Sequence, residues 1–212
     1  MSVVWEAKCR LCRRAQQKLF LKGDRCVTRK CAIERETRQK PPGQHGEEKL
    51  NKKITQYGEQ LREKQKLKRA YLLRETQFAT YMVHAQRRRG VTGENLIQLL
   101  EMRLDNTVYR LGWAPSRGAA RQMVSHGFIT VNGKRVDIAS CQTRQGDVIG
   151  IYSTKKETTL VVEALKRLAV APRVEWLSMN LDTLEGTVLA MPKREQIVND
   201  IMESLIVEFY TR

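Results

Sequence analysis

The sequence lacks long apolar runs, and it lacks the start that a secreted protein needs. No stretch approaches the roughly 20 consecutive apolar residues that span a bilayer. Residues 1–6 do not show the basic-then-apolar pattern of a signal peptide. The basic segments also lack the broad, aromatic-rich apolar face that holds an amphipathic helix on a membrane. These absences predict an intracellular protein with no membrane partner.

Groups that carry out chemistry are equally scarce. Outside residues 96–151 there is no catalytic constellation and no glycine loop of the kind that cradles phosphates. Asp105, Asp137 and Asp147 are better explained as helix, hairpin and turn residues. His45 has no visible partner for base catalysis. We therefore predict that the protein is not an enzyme, has no small-molecule substrate and has no catalytic residue.

Acidic residues are outnumbered, and the imbalance is concentrated at the front of the chain. The 212 residues include 39 Lys and Arg against 23 Asp and Glu, which gives a formal net charge of +16. Residues 1–70 carry 20 basic and 8 acidic side chains, whereas residues 171–212 carry 4 and 7. The basic surplus favours an anionic partner such as nucleic acid. The acidic tail favours a solvated or protein-facing surface.

Four of the 5 cysteines form two close pairs. Two residues separate Cys9 from Cys12, four separate Cys26 from Cys31, and thirteen separate the pairs. In a reducing compartment this spacing favours a metal site over disulfides, because each pair supplies two thiolates from one turn. Four thiolates leave no coordination position open, so the site is predicted to be structural and to hold Zn²⁺. A 4Fe-4S cluster on the same cysteines and a set of unrelated free thiols remain alternatives.

The surroundings of these cysteines are basic. The neighbouring arginines are expected to lower the thiol pKa values and to balance the negative charge of the metal site. The fifth cysteine, Cys141, lies among strand residues and is expected to be a small core side chain.

Two helices are predicted after an irregular loop. Proline and glycine keep Lys40–Gly46 irregular and leave its backbone free to approach a partner closely. A helical pattern begins at Tyr57, and a second pattern over residues 75–88 buries Phe78 and Met82. The other faces of the first helix are predicted to be basic, whereas the second helix is predicted to end in Arg87-Arg88-Arg89, where the helix dipole favours cations.

Residues 96–151 are the most strongly patterned stretch. Apolar residues recur every three or four positions from Leu96 to Leu111, which predicts one helix with a single buried face. Ser116 is placed to cap a second helix and Gly127 to end it.

Strand patterns follow these helices. The run over residues 128–131 favours a strand, and Asn132-Gly133 favours a tight hairpin turn. Another strand is predicted over residues 148–151. The exposed edge of the resulting unit is predicted to carry Arg103, Arg117, Arg121, Lys134 and Arg135.

The tail is predicted to be globular. A helix is expected from Leu160 to Leu168. Strands or buried extended segments are expected at residues 176–177, 187–189 and 205–210.

Three segments of the central stretch resemble the RNA-binding module named after the fourth protein of the small ribosomal subunit. They are LLEMRLDNTVYRLG (99–112), SRGAARQMVSHG (116–127) and ITVNGKRV (129–136). The same module occurs in pseudouridine synthases, in a tyrosyl-tRNA synthetase appendage and in a heat-shock RNA-binding protein. Alone it therefore implies structured RNA without fixing the protein.

Further segments extend the resemblance over nearly the whole chain. The bacterial-type family of that ribosomal protein is similar at KCAIER, PPGQHG, YGEQLREKQK, VTGENL and LIVEFYTR. The resemblance implies a structural constituent that binds small-subunit ribosomal RNA at a multi-helix junction and nucleates assembly. It also implies that neighbouring ribosomal proteins contact the chain and that together they contribute to translational accuracy. The four paired cysteines match the metal knuckle that some members keep.

These patterns predict an α+β fold in three parts. Residues 1–45 form a four-cysteine metal knuckle with a basic extension, and residues 46–95 form a helical RNA-binding domain packed with residues 152–212. Residues 96–151 form a small helix-helix-β-hairpin RNA-binding domain, and short strands follow it. The predicted RNA contacts are Arg10, Arg13, Arg14, Lys18, Lys22, Gln44, His45, Arg62, Lys64, Lys66, Arg69, Arg87, Arg88, Arg103, Arg117, Arg121, Lys134 and Arg135.

Two other functions remain open on the sequence. An RNA-modifying enzyme that uses the module as a substrate clamp would convert bases in purified RNA. A zinc-knuckle DNA-binding regulator would bind duplex DNA as well as it binds ribosomal RNA. A bacterial and an organellar ribosome are both compatible with the sequence.

Overall fold

The chain folds into two compact units. The computed structural model describes residues 7–35, 39–48, 53–155, 158–159, 161–163, 174–180, 183–197 and 201–211. The first unit comprises residues 1–93 with 199–212, and the second comprises residues 94–198. Helices and an antiparallel sheet confirm the predicted α+β class, whereas the predicted three-part division stays a prediction. No helix among the described residues is long and apolar enough to cross a membrane.

The described part of the first unit is helical. Its elements are α1 (Lys8–Ala15), a 3-10 turn (Gly23–Cys26), α2 (Gln56–Ala70), α3 (Glu75–Arg87) and α7 (Glu203–Thr211). Thr55 caps α2, because its hydroxyl accepts a hydrogen bond from the Gly58 N–H at 3.2 Å. Phe78 and Met82 are buried on α3, which confirms the predicted apolar face.

The prediction that residues 205–210 are extended is wrong, because they lie within α7. Helix α7 packs along α2, where the Gln60 Nε2 donates to Glu208 across 2.9 Å and the rings of Tyr57 and Phe209 lie 5.6 Å apart. A short run of aliphatic and aromatic residues fits a buried helix segment as well as a strand. Here the packing against α2 decides between them.

In the part of the second unit that the structure describes, helices combine with a sheet. Helix α4 (Thr92–Glu101) enters it and is followed by α5 (Leu104–Arg110) and α6 (Arg117–Ser125). The strands are β1 (Ile129–Val131), β2 (Lys134–Arg135), β3 (Val148–Ile151), β4 (Leu177–Asn180) and β5 (Glu185–Val188). They form one antiparallel sheet in the order β2-β1-β3-β5-β4, with Ile129 opposite Ile151. Trp113 and Trp176 lie in the core beneath it.

Residues 96–111 were predicted to form one helix, and the structure corrects this to α4 and α5. The backbone between them pairs with another segment of the unit. Leu104 N–H donates to the Cys141 carbonyl, and Thr143 N–H donates to the Met102 carbonyl, each across 2.8 Å. These hydrogen bonds replace helical ones, so the helix cannot continue through Met102. The apolar spacing runs through the break and therefore conceals it.

Local signals in the second unit are confirmed. The Ser116 hydroxyl accepts a hydrogen bond from Ala119 N–H at 3.3 Å and begins α6. Asn132 and Gly133 adopt positive φ angles of 50° and 79° in the turn between β1 and β2. The strands predicted near residues 176–177 and 187–189 correspond to β4 and β5. Most of the helix predicted from Leu160 to Leu168 lies outside the described residues.

Candidate nucleic-acid interface

The four paired cysteines lie near one another in the first unit. Cys12, Cys26 and Cys31 are buried, and Cys9 is half-buried. Two backbone groups already bind sulfur: Leu19 N–H donates to Cys12, and Lys22 N–H donates to Cys26 across 3.4 Å. N–H groups in this arrangement stabilise negative charge on sulfur.

The expectation that nearby arginines lower the thiol pKa values is wrong for Cys12 and Cys26. Burial raises the pKa of both thiols, and the charges of the neighbouring thiols raise it further. Arg10 and Arg14 are exposed, so water screens their charges. Within the described ranges, no three His, Cys, Asp or Glu side chains converge closely enough to hold a metal ion.

The predicted RNA contacts around the cysteines divide into exposed and paired side chains. Arg10, Arg14 and Lys22 are exposed. Arg13 is half-buried, and its Nε donates to the Lys40 carbonyl across 2.9 Å. Lys18 forms an ion pair with Glu34.

Gln44 and His45 lie on a compact exposed turn. Gly46 N–H donates to the Gly43 carbonyl across 3.1 Å, and a Cβ on Gly46 would lie 2.2 Å from the Pro41 carbonyl oxygen. Only glycine allows this close approach of backbone to backbone. The turn presents Gln44 and His45 to solvent.

Lys64 was predicted on the basic face of α2, but it is buried with 5% of its surface exposed. Its Nζ lies 2.5 Å from Glu75 and 4.4 Å from the centre of the Phe209 ring. Burial would raise the pKa of Glu75, but hydrogen bonds from Lys64 and Lys68 outweigh it and lower that pKa to about 2. Burial and the Glu75 charge also raise the pKa of Tyr210. Lys64 therefore joins α2, α3 and α7.

The remaining predicted RNA contacts of the first unit are more exposed than Lys64. Arg62 is exposed on α2, and Arg69 is half-buried. Lys66 pairs with Glu63 at 2.5 Å. Arg87 and Arg88 are exposed at the end of α3, where cations also interact favourably with the helix dipole.

In the second unit, two arginines share one buried carboxylate. Asp105 accepts hydrogen bonds from Arg103 Nε and Nη2 at 3.0 and 2.9 Å, and from Arg121 Nε and Nη2 at 2.8 and 2.6 Å. Arg103 retains 3% of its surface exposure and Asp105 retains 4%. Paired guanidinium donors fit a carboxylate closely, which makes this contact strong and directional.

A second buried carboxylate, Glu101, accepts hydrogen bonds from another group of side chains. Arg110 donates to it through Nε at 2.8 Å and Nη2 at 2.5 Å, and Asn106 donates through Nδ2 at 2.6 Å. The Asn106 Oδ1 accepts from Arg117 Nε at 2.7 Å, and the Arg117 guanidinium lies 4.8 Å from the Tyr109 ring centre. The two carboxylates thus fix four arginine side chains.

These contacts correct the predicted exposed edge. Arg103 is buried, and Arg117 and Arg121 expose 11% and 17% of their side chains. Only Lys134 and Arg135 of the five predicted edge residues are fully on the surface.

Arg135 is held on the hairpin by its neighbours. Its guanidinium lies 5.5 Å from the Tyr152 ring centre, and Nη2 donates to the His126 carbonyl across 3.4 Å. A Cβ on Gly127, which has a φ of +68°, would lie 2.1 Å from Arg135 Nη2. Gly127 therefore both ends α6 and leaves room for the guanidinium. The arrangement holds one exposed cation against a half-buried aromatic ring.

Sequence reasoning missed two classes of residue. It did not assign Glu101 or Arg110, because a helical sequence pattern does not distinguish a buried charged residue from an exposed one. It also left out further exposed cations, which their charge alone could have indicated: Arg25, Arg29, Lys30, Arg74, Arg89 and Arg144.

Two protein-family models match consecutive parts of the chain. Residues 5–101 match the model of the ribosomal protein S4/S9 N-terminal domain, and residues 102–149 match the model of the S4 domain. The small ribosomal subunit protein uS4 of Heliobacterium modesticaldum is 52% identical over 204 residues, covering 96% of both chains. The uS4 of Thermoanaerobacter pseudethanolicus is 53% identical over the same share. That of Solidesulfovibrio magneticus is 50% identical over 207 residues and 98% of both chains.

Proposed function

Because the chain belongs to the S4 family of ribosomal proteins, we propose that it is a structural constituent of the small ribosomal subunit that binds ribosomal RNA directly. The family consists of ribosomal structural proteins and not of enzymes. Its bacterial-type members work in the cytoplasm on the ribosome, in contact with ribosomal RNA and neighbouring small-subunit proteins. This relationship argues against the enzyme alternative, and competition with duplex DNA tests the DNA-regulator alternative.

One observation carries the RNA-binding proposal. Lys134 and Arg135 lie exposed on a hairpin inside the segment that matches the S4 domain, and Arg135 is fixed against Tyr152 and the end of α6. A cation fixed before binding loses little conformational freedom when a phosphate arrives. Exposed arginines at the end of α3 and on α1 offer further phosphate contacts.

Cations on several different elements suggest how the protein would bind RNA. Where several RNA helices meet, their phosphates repel one another, and bound cations reduce this repulsion. The protein would thus favour a folded multi-helix junction and help to nucleate subunit assembly. Its acidic segment over residues 171–212 would face neighbouring ribosomal proteins, through which it contributes to accurate decoding.

The test compares binding to small-subunit ribosomal RNA and to a size-matched RNA across a salt series. Selective binding that survives physiological salt supports recognition of a folded junction. Equal affinity for both RNAs, with duplex DNA competing as well as ribosomal RNA, would overturn the proposal.

We further propose that Cys9, Cys12, Cys26 and Cys31 hold a structural metal, with Zn²⁺ as the first candidate. Support comes from four thiols within electrostatic reach of one another and from backbone N–H groups that already donate to two of them. Four cysteines are a closed donor set for zinc, and the same set fits a 4Fe-4S cluster. When bound, the metal would cross-link α1 to the 3-10 turn and stabilise the knuckle.

Metal analysis tests this assignment. We expect one zinc per chain, and we expect the Cys9→Ser, Cys12→Ser double variant to lose it and to bind ribosomal RNA more weakly. Cys141→Ser is the matched control, because that thiol packs against the core of the second unit. Iron with inorganic sulfide would identify the cluster, and metal-free protein with full RNA affinity would contradict the proposal.

A further inference from the structure

Phe20 is an exposed aromatic residue in a strained backbone conformation. It retains 46% of its surface exposure and adopts a φ of +50°. Side chains with a Cβ rarely adopt this left-handed region, and exposing a phenyl ring adds a further cost. A residue that combines both features is a candidate for a functional contact.

Neighbouring residues hold Phe20 outward. Leu19 and Leu21 on either side are buried, with 6% and 3% exposure, in a cluster with Leu11 and Leu72. Phe20 itself is not part of this cluster, and nearly half of its surface remains exposed to solvent.

The backbone on both sides is also tied to the knuckle. Leu19 N–H donates to the Cys12 sulfur, and Lys22 N–H donates to the Cys26 sulfur. These two hydrogen bonds bracket Phe20. A backbone fixed in this way reduces the ordering that the ring needs before it receives a flat partner.

The charge next to the ring indicates the partner. Lys22, two residues away, is exposed, and so are Arg25, Arg29 and Lys30 of the same knuckle. An exposed aromatic ring beside cations is suited to a nucleic-acid base whose flanking phosphates meet those cations. A protein partner would need a surface that is both acidic and apolar to match these cations and the ring. Nothing in the knuckle selects such a surface over RNA.

We propose that Phe20 is a stacking platform for an unstacked base of ribosomal RNA, with Lys22 contacting the adjoining phosphate. The inference rests on the proposed RNA-binding function and adds a site in the knuckle. Base stacking is sequence-tolerant, so the ring would recognise that a base is unpaired and not which base it is.

The test measures affinity for small-subunit ribosomal RNA in full-length, metal-loaded protein carrying Phe20→Ala, Phe20→Leu or Phe20→Tyr. Loss of one stacked base should weaken binding by about 5- to 150-fold in the alanine variant. Leucine keeps an apolar side chain but no ring, so it should bind about as weakly as alanine, whereas tyrosine should bind like wild type. The salt dependence should not change, because the ring carries no charge.

Val27→Ala is the matched control, because Val27 is an aliphatic knuckle residue with 78% exposure. It should leave RNA affinity unchanged. Wild-type affinity in Phe20→Ala or in Phe20→Leu would overturn the stacking site. If wild-type protein does not prefer small-subunit RNA at all, the proposed function itself fails, and this result is distinct from an unaltered Phe20 variant.

Discussion

Two arginines of the second unit and two arginines of the knuckle are placed in opposite environments. Arg103 and Arg121 share the buried carboxylate of Asp105, whereas Arg10 and Arg14 are exposed on α1. Both sets contribute equally to the formal charge of the chain. The first set organises the protein, and the second is available to a phosphate. Counting charges therefore overestimates the binding surface of the second unit and describes the knuckle better.

The largest expected effect comes from removing a buried carboxylate. Asp105→Asn takes away the negative charge that two guanidinium groups share, and we expect the free energy of unfolding of the second unit to fall by about 3–5 kcal/mol. Denaturant unfolding followed by tryptophan fluorescence measures it, because Trp113 and Trp176 are both buried in this unit. A Trp5→Phe background removes the third tryptophan.

Asp137→Asn supplies the comparison for this measurement. Asp137 is exposed beyond β2, so its replacement should change the free energy of unfolding by less than about 0.5 kcal/mol. Equal losses in the two variants would show that the Asp105 pairs do not stabilise the unit.

An exposed hairpin cation should affect binding and not folding. Lys134→Ala should reduce the slope of log affinity against log salt by about 0.7–0.9, the amount for one phosphate contact, and leave stability unchanged. The measurement is a salt titration of ribosomal RNA affinity. Gln145→Ala, an uncharged exposed turn variant, should keep the wild-type slope. A wild-type slope in Lys134→Ala would remove this residue from the interface.

The smallest effect concerns the ion pair between the buried Lys64 and Glu75 in the first unit. Glu75 has a folded-state pKa of about 2, below its usual value, so its ion pairs stabilise the unit at neutral pH. That contribution should disappear as pH falls from about 5 to 2. Because the Glu75 side chain is 47% exposed, we expect at most about 1 kcal/mol.

The free energy of unfolding at pH 6 and pH 3 checks this expectation in wild type and Glu75→Gln. The difference between the two pH values should be smaller in the variant. Glu59→Gln, exposed on α2, should retain the wild-type difference. If Glu75→Gln shows the wild-type difference too, then Lys64 is stabilised by its aromatic neighbours and not by Glu75.

Local chemistry made much of the fold predictable. A serine before a helix and Asn132-Gly133 between strands act through their own backbone, so a short window of sequence reveals them. The segments that resemble the ribosomal protein family then assigned these helices and strands to an RNA-binding protein.

Tertiary contacts made the rest unpredictable. The break after Glu101 depends on hydrogen bonds to residues near 141, and the helical state of residues 205–210 depends on α2. Lys64 and Arg103 carry the same charge as surface residues, and only their contacts with Glu75 and Asp105 reveal that they are internal. Such information lies far along the chain from the residue concerned.

The packing of α7 on α2 has a consequence for the order of synthesis. Helix α7 begins about 130 residues after α2 ends, an interval of roughly 7 to 27 s at ordinary translation rates. The second unit is contiguous and is complete before α7 emerges. During this interval the faces of α2 and α3 that receive Phe209 and Tyr210 stay uncovered. The first unit, although it starts earlier, is therefore the later of the two to reach its finished state.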